Sequence, residues 1–291
     1  MVVTGWLTAT KLMWVLGHRL CMSERPPEER SAEPVTVASM TADLRDLGVA
    51  RGDTVLVHGS LSSLGWVCGG APAVVDALQR TLGEAGTLVM PTHSPGNMEP
   101  SAMEHPPLPE SWHGTVREQM PPYRPAMTPT QGMGAIAECF RSCPGVVRSD
   151  HPQHSFAAWG ADADDVTGEH SLEYSLGEAS PLARVYDREG QVVFLGTDHA
   201  TNTSIHLAEY RTDLDVGTRD CGSAILVDGE REWVTWEDID FSDEDFPACG
   251  AAFERERPEA FETGTVGAAE AKRIDQRALV DFAVEWFEAN R

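Results

Sequence analysis

The chain is short of positive charge. Its 291 residues carry 22 Lys and Arg against 46 Asp and Glu, a formal net charge of -24. Such a surface repels phosphate backbones and anionic headgroups, so neither nucleic acid nor membrane is an expected partner. Two readings of the acid excess stay open, a solvated surface or a cleft that concentrates a cationic ligand. Paired cysteines are missing too. Cys21, Cys68, Cys139, Cys143, Cys221 and Cys249 form no CxxC, and Cys139 and Cys143 are spaced like small buried side chains, which points to a reducing, cytoplasmic setting. Long apolar runs are absent as well: WLTATKLMWVLGHRLCM is interrupted by Lys11, His18 and Arg19 and is too short and polar for a span. We read residues 1–35, closing in SERPPEERSAEP, as a poorly ordered N-terminal extension, and residues 36–291 as one folded domain.

What is present alternates strand and helix patterns. VTVASMTADLRDLG reads as an amphipathic helix stopped by Gly48, TVLVH (54–58) as a buried strand, APAVVDALQRTLG as a helix with Pro72 in its first turn, and GTLVMP (86–91) as a second strand. A strand–loop–helix–strand unit implies an α/β fold, a central mixed sheet flanked by helices. Residues 94–130, crowded with proline, predict a long irregular excursion, a feature that in compact domains commonly serves binding. QGMGAIAECFRSC reads as helix, FAAW and QVVFLG as strands, and AILVDGEREWVTWED as a hairpin around Asp228-Gly229. The last stretch, VGAAEAKRIDQRALVDFAVEWFEANR, reads as a helix turning Ile274, Leu279, Phe282 and Trp286 inward.

Two stretches carry chemistry. VHGSLSSLGWVCGGAP sets Ser60, Ser62, Ser63, Gly65, Gly69 and Gly70 between a strand and a helix start. Glycines admit a ligand to the backbone, hydroxyls donate to anionic oxygens, and a helix start offers free N–H groups. The loop is neither GxxxxGK[ST] nor GxGxxG, which argues against a nucleoside triphosphatase or a Rossmann dinucleotide site. LGTDHATNTSIHLAEYR (195–211) places His206 and Glu209 three residues apart on one helical face, with Asn202 or Thr203 available as cap. A metallohydrolase using His151, His154, His199 and His206 is the competing reading, but HxxH lacks the glutamate of HExxH.

VHGSLSSLGWVCGGAPAVVDAL, MTPTQGMG, RSDHPQHSFAAWG, LGEASPLARV and LGTDHATNTSIHLAEYR, in that order, resemble the aminoglycoside 3-N-acetyltransferase family across residues 35–290. The resemblance implies an acetyltransferase fold distinct from the GCN5 type and transfer of acetyl from acetyl-CoA, without a metal, to the 3-amino group of 2-deoxystreptamine antibiotics, conferring resistance. It implies that Ser60, Leu61, Ser62, Ser63, Leu64, Gly65, Trp66 and Val67 contact CoA and that His206 is the catalytic histidine. Such a residue is needed because a protonated amine has no lone pair to attack with; general-base help is worth roughly 10²–10⁴ in rate. Glu209 or Asp198 would orient His206, and His151 would order the site. Glu173, Asp198, Asp240, Glu244 and Asp245 are candidates for binding the cationic aminoglycoside. His93, His105, Trp112 and Tyr123 are candidates for a cleft wall. Where the family often has serine, Gly59 stands here, which puts a hydroxyl contact there in doubt. Two rivals remain: a family member acylating another amine, and a non-catalytic protein that sequesters cationic antibiotics.

Overall fold

Alternate residues of TVLVH go to different places. In the computed structural model, which describes residues 26–103 and 106–291, Val55 and Val57 enter one apolar core and Leu56 enters another. Leu88 and Met90 against Val89, and Val193 and Leu195 against Val192 and Phe194, divide in the same way. Strands buried on both faces must be apolar nearly throughout, which is why these runs read as continuous rather than alternating.

In chain order the elements are α1 (Val37–Asp46), β1 (Thr54–Gly59), α2 (Ala71–Leu82), β2 (Thr87–Pro91), α3 (His113–Gln119), α4 (Gly134–Phe140), β3 (Val147–Arg148), β4 (Phe156–Gly160), α5 (Ala163–Gly168) and α6 (Pro181–Asp187). There follow β5 (Gln191–Leu195), α7 (His206–Glu209), β6 (Thr218–Val227), β7 (Glu230–Ile239), α8 (Phe246–Glu256), β8 (Phe261–Val266), β9 (Ala269–Asp275) and α9 (Gln276–Asn290). Seven strands form a sheet in the order β3-β4-β2-β1-β5-β9-β8. The central β2, β1 and β5 are parallel, while β4 and β9 run antiparallel to them on either side. The expected mixed sheet flanked by helices is what is found. One core joins α1, α2 and α4 to the sheet, and the other joins α5 to α9. β6 and β7 form a separate ribbon whose turn residues, Asp228 and Gly229, both have positive φ, as a tight hairpin turn requires.

Of the expected extension, residues 1–25 lie outside the described residues. Further on, Val35 is buried and exchanges backbone hydrogen bonds with Trp66 and Cys68, so the chain is part of the core by that point.

The end of the chain differs from the sequence expectation. Residues 266–275 are not helix but the end of β8, a turn and the returning strand β9, and the helix starts at Gln276. Ala269, Ala271 and Ile274 point inward between more open neighbours, and β9 pairs with β5 over Leu195↔Ala271 to Gln191↔Asp275. The Ala, Glu, Lys and Arg content favours a helix, but pairing with a buried central strand decides the outcome. Trp286 is only partly buried.

The 94–130 excursion contains α3 and short 3-10 turns, and Arg148 pins it to the sheet. Buried without a carboxylate partner, Arg148 donates from Nε to Thr92 Oγ1 and Ser155 Oγ, from Nη1 to the carbonyls of Pro125 (3.0 Å) and Thr128, and from Nη2 to the Thr92 carbonyl and Ser94 Oγ (2.9 Å). Arg148→Met keeps the volume but strands these acceptors. We expect a loss of about 2–4 kcal/mol in urea unfolding, with new protease cleavage inside 94–130. An unchanged cleavage pattern would show that the excursion holds itself in place.

Candidate active site

Parallel strands deliver their C-terminal ends to the same edge of a sheet, and ligands of open α/β sheets collect there. The segments leaving β1, β2 and β5 border a cavity of about 880 Å³. From β1 come His58, Gly59, Ser60, Leu61 and Ser62, continuing to Gly65, Trp66 and Val67. From β2 comes His93, and from β5 come Thr197 and residues 200–203. Met133–Ala137, at the start of α4, supply a further wall. Gly70 and Gly132 line the space with positive φ, and a Cβ on either would meet no atom within 4 Å, so bare backbone faces ligand space. Among the described residues no Lys or Arg lines the cavity. Its anion-binding capacity therefore lies in hydroxyls and in the N-terminus of α2, where Gly70 supplies no side-chain cap.

His206 borders this cavity at the start of α7. Asn202 caps the preceding turn by accepting from Ser204 N, which fixes the chain's entry into the helix. At i+3, Glu209 Oε2 lies 2.6 Å from His206 Nδ1, and the Glu209 side chain is completely buried. A carboxylate on Nδ1 fixes the ring tautomer, leaving Nε2 for a substrate. Phe241 and Phe246 stand edge-on to the imidazole at 4.8 and 4.7 Å and restrict its rotation. Glu209 Oε1 accepts from Ser242 N (3.0 Å) and Arg291 Nη1 (2.6 Å).

The upstream loop is held from behind. His199 Nε2 lies 3.1 Å from Glu254 Oε1, and Lys272 pairs with the same oxygen. His199 packs so tightly on α8 that a Cβ at Gly250 would lie 2.0 Å from its ring. Asp198 does not reach His206; its carboxylate caps its own turn at Ala200 N, 2.9 Å.

The structure brings some of the expected residues together and separates others. Ser60, Leu61, Ser62, Gly65, Trp66 and Val67 line the cavity. Ser63 turns away to Ser60 Oγ and the Gly196 carbonyl, and Leu64 is in the core. His151 is fully buried outside the lining, with Nδ1 accepting from Gln153 N and His154 N. Glu173, Asp198, Asp240 and Glu244 are exposed and line nothing in this cavity, and Asp245 is occupied by Arg291. The lining carboxylate is Asp243, inside the same acidic segment. Of the expected wall, His93 lines the cavity, Trp112 is exposed, the Tyr123 hydroxyl donates to the Ser149 carbonyl, and His105 lies outside the described residues. The 133–137 wall falls within QGMGAIAECFRSC and Asp243 lies between Asp240 and Glu244, but neither carries a chemical signature of its own. Arg291, 82 residues from Glu209, had no local signal at all. Among the described residues no group of three or more His, Cys, Asp or Glu is arranged to hold a metal, and no helix is long and apolar enough to cross a membrane.

Comparison with known proteins identifies the family. The family model for aminoglycoside 3-N-acetyltransferase matches residues 56–288. The SPbeta prophage-derived aminoglycoside N(3')-acetyltransferase-like protein YokD of Bacillus subtilis is 45% identical, covering 90% of this chain and 96% of that protein. Its crystal structure superposes with a TM-score of 0.88. Aminoglycoside N(3)-acetyltransferase VII of Streptomyces paromomycinus is 37% identical over 92% of this chain and 96% of its own. AAC-IIIb in binary complex with CoASH is 29% identical, with a TM-score of 0.80, covering 88% of this chain and 97% of that one. The chain belongs to the aminoglycoside 3-N-acetyltransferase family, a family of acyltransferases.

Imidazoles cluster at the cavity: His58 and His93 line it, and His151, His154 and His170 lie outside the lining. Burial pushes His58 down to about 3, and lowers His151 and His154 well below the ordinary histidine range. The same cause pushes His93 down to about 3 and His170 down to about 4. The folded protein keeps these rings neutral, whereas the unfolded chain protonates them near pH 6.5. Above that pH they cost nothing. Below it the unfolded state binds more protons, so stability falls by up to about 1.4 kcal/mol per pH unit per ring until the folded value is reached. Calorimetry from pH 7.5 to 5 should therefore show Tm dropping steeply. A flat profile would mean that the rings accept protons in the folded state.

Proposed function

We propose that this family member transfers the acetyl group of acetyl-CoA to the 3-amino group of 2-deoxystreptamine aminoglycosides in the cytoplasm, with His206 as general base and Glu209 as its orienting partner. The observation that carries this reading is the His206–Glu209 pair at the edge of a cavity built from backbone and hydroxyl groups. A CoA-bound relative of the same fold and the activities named for the curated relatives support it.

On this reading Ser60, Ser62, the Gly65–Val67 segment and the α2 N-terminus hold CoA. The amine gives its proton to His206 Nε2 as its nitrogen bonds to the thioester carbonyl carbon; the C–S bond breaks and the CoA thiolate leaves. Glu209 stabilises the imidazolium that results. Because the thioester is already activated, direct attack in a ternary complex needs no acetylated enzyme. Asp243 is the carboxylate placed to meet a substrate ammonium. The amide product has lost its charge and with it the ionic contacts an aminoglycoside makes with RNA, which accounts for resistance.

Thiol release from acetyl-CoA, followed with a colorimetric reagent, should require an aminoglycoside with a free 3-amine. His206→Ala should lower kcat by roughly 10²–10⁴ while acetyl-CoA still protects the protein against heat. Thiol release with other amines alone would move the substrate class and keep the chemistry. Resistance that survives His206→Ala would instead support sequestration.

A further inference from the structure

Glu209 reaches its working position with help from a residue distant in sequence. Its two oxygens have separate duties: Oε2 faces His206, and Oε1 takes Arg291 Nη1 at 2.6 Å and Ser242 N at 3.0 Å. The rest of the Arg291 fork is also engaged. Nε and Nη2 donate to Asp245 Oδ2 and Oδ1 at 2.9 and 2.6 Å, and Nη2 also donates to the Ser242 carbonyl at 2.9 Å. The guanidinium lies 3.7 Å over the Phe287 ring, and the Arg291 backbone N–H donates to the Phe287 carbonyl at the end of α9. One planar cation thus joins three elements: the helix bearing the base, the 242–245 loop with Asp243 on the cavity, and α9.

From this geometry we propose that Arg291 is the positioning residue of the reaction. It fixes the Glu209 carboxylate so that Oε2 stays on His206, and it holds the Asp243 loop in register with the base. A buried carboxylate whose sole cation is the imidazolium formed during turnover would be uncompensated in the resting enzyme. The Arg291 fork supplies the missing charge permanently: anchored bidentately on Asp245, it gives Glu209 Oε1 one charged bond from Nη1, which together with Ser242 N keeps the carboxylate from rotating. Lysine supplies a point charge without the fork, so it replaces the charge but not the alignment. The inference rests on the proposed role of His206 and adds what makes that role available.

The test is steady-state kinetics of full-length Arg291→Gln and Arg291→Lys beside His206→Ala. Arg291→Gln should lose about tenfold to a hundredfold in kcat, with KM for acetyl-CoA within about twofold, and millimolar guanidinium should restore part of the loss. Arg291→Lys should fold and keep an intermediate kcat. A kcat within about twofold of the unmodified enzyme in either variant would overturn the proposal. So would a loss in Arg291→Gln that guanidinium leaves untouched and Arg291→Lys does not mend, the behaviour of a purely structural staple. If Arg291→Gln does not fold, Arg291→Lys alone decides. Activity retained in His206→Ala would remove the base assignment itself; an inactive His206→Ala beside a normal Arg291→Lys would remove only Arg291.

Discussion

A carboxylate with no exposed surface dictates much of this structure. Glu209 is an anion withdrawn from water, and such a group is tolerated only when both oxygens are satisfied. One oxygen takes an imidazole three residues ahead. The other needs donors that a four-residue helix cannot provide, and they come from the 242–245 loop and from beyond α9. The long separation in sequence follows from the sheet. β5 ends beside the site and pairs with β9, and β9 leads directly into α9, so the end of that helix returns to the elements it must clamp.

Alignment at the front of the cavity is matched by rigidity behind it. His151 stacks on His154 at 5.2 Å, His154 Nδ1 contacts Ser175 Oγ at 2.7 Å, and Ser175 Oγ donates to the buried Asp238, which also accepts from Tyr210. Phe241 stands between His154 and His206, edge-on to both. Rings that remain neutral can pack this closely without repulsion, and burial enforces that neutrality. His206 differs from them in having a carboxylate on Nδ1 and a place in the cavity lining, an arrangement that suits the role proposed for it.

Legibility in the sequence followed interaction range. β1, β2 and β5 could be read because both faces of each are apolar; the His206–Glu209 contact could be read because three residues on a helix are neighbours. The loop at 60–67 was visible for its glycines and hydroxyls, although Ser63 and Leu64 turn away from the cavity. The reading failed wherever a distant pairing outweighed local preference. AEAKRID has the composition of a helix and became a strand because β5 offered it an edge. Among the acidic residues, composition could not distinguish Asp243 from Asp240, Glu244 and Asp245. The loop's attachment to Arg291 engages Asp245 and leaves Asp243 bordering the cavity, and nothing local in the sequence encodes that.

On the proposed reading the net charge of -24 has a use. A protein that binds a phosphate-rich thioester and an antibiotic polycation faces opposed electrostatic demands. A cluster of Lys and Arg in the cavity would hold the first and repel the second. Among the described residues the cavity lining has neither, and it presents hydroxyls, exposed backbone and an uncapped helix start, dipoles that act at contact distance and fade beyond it. On that reading the acid excess attracts the cation at long range, while short-range donors recognise the anion once it has entered. On the proposed reading, acid excess and the absence of basic residues from the lining are two parts of one solution: the surface draws in the amine, and the loop accepts the phosphates without cancelling that attraction.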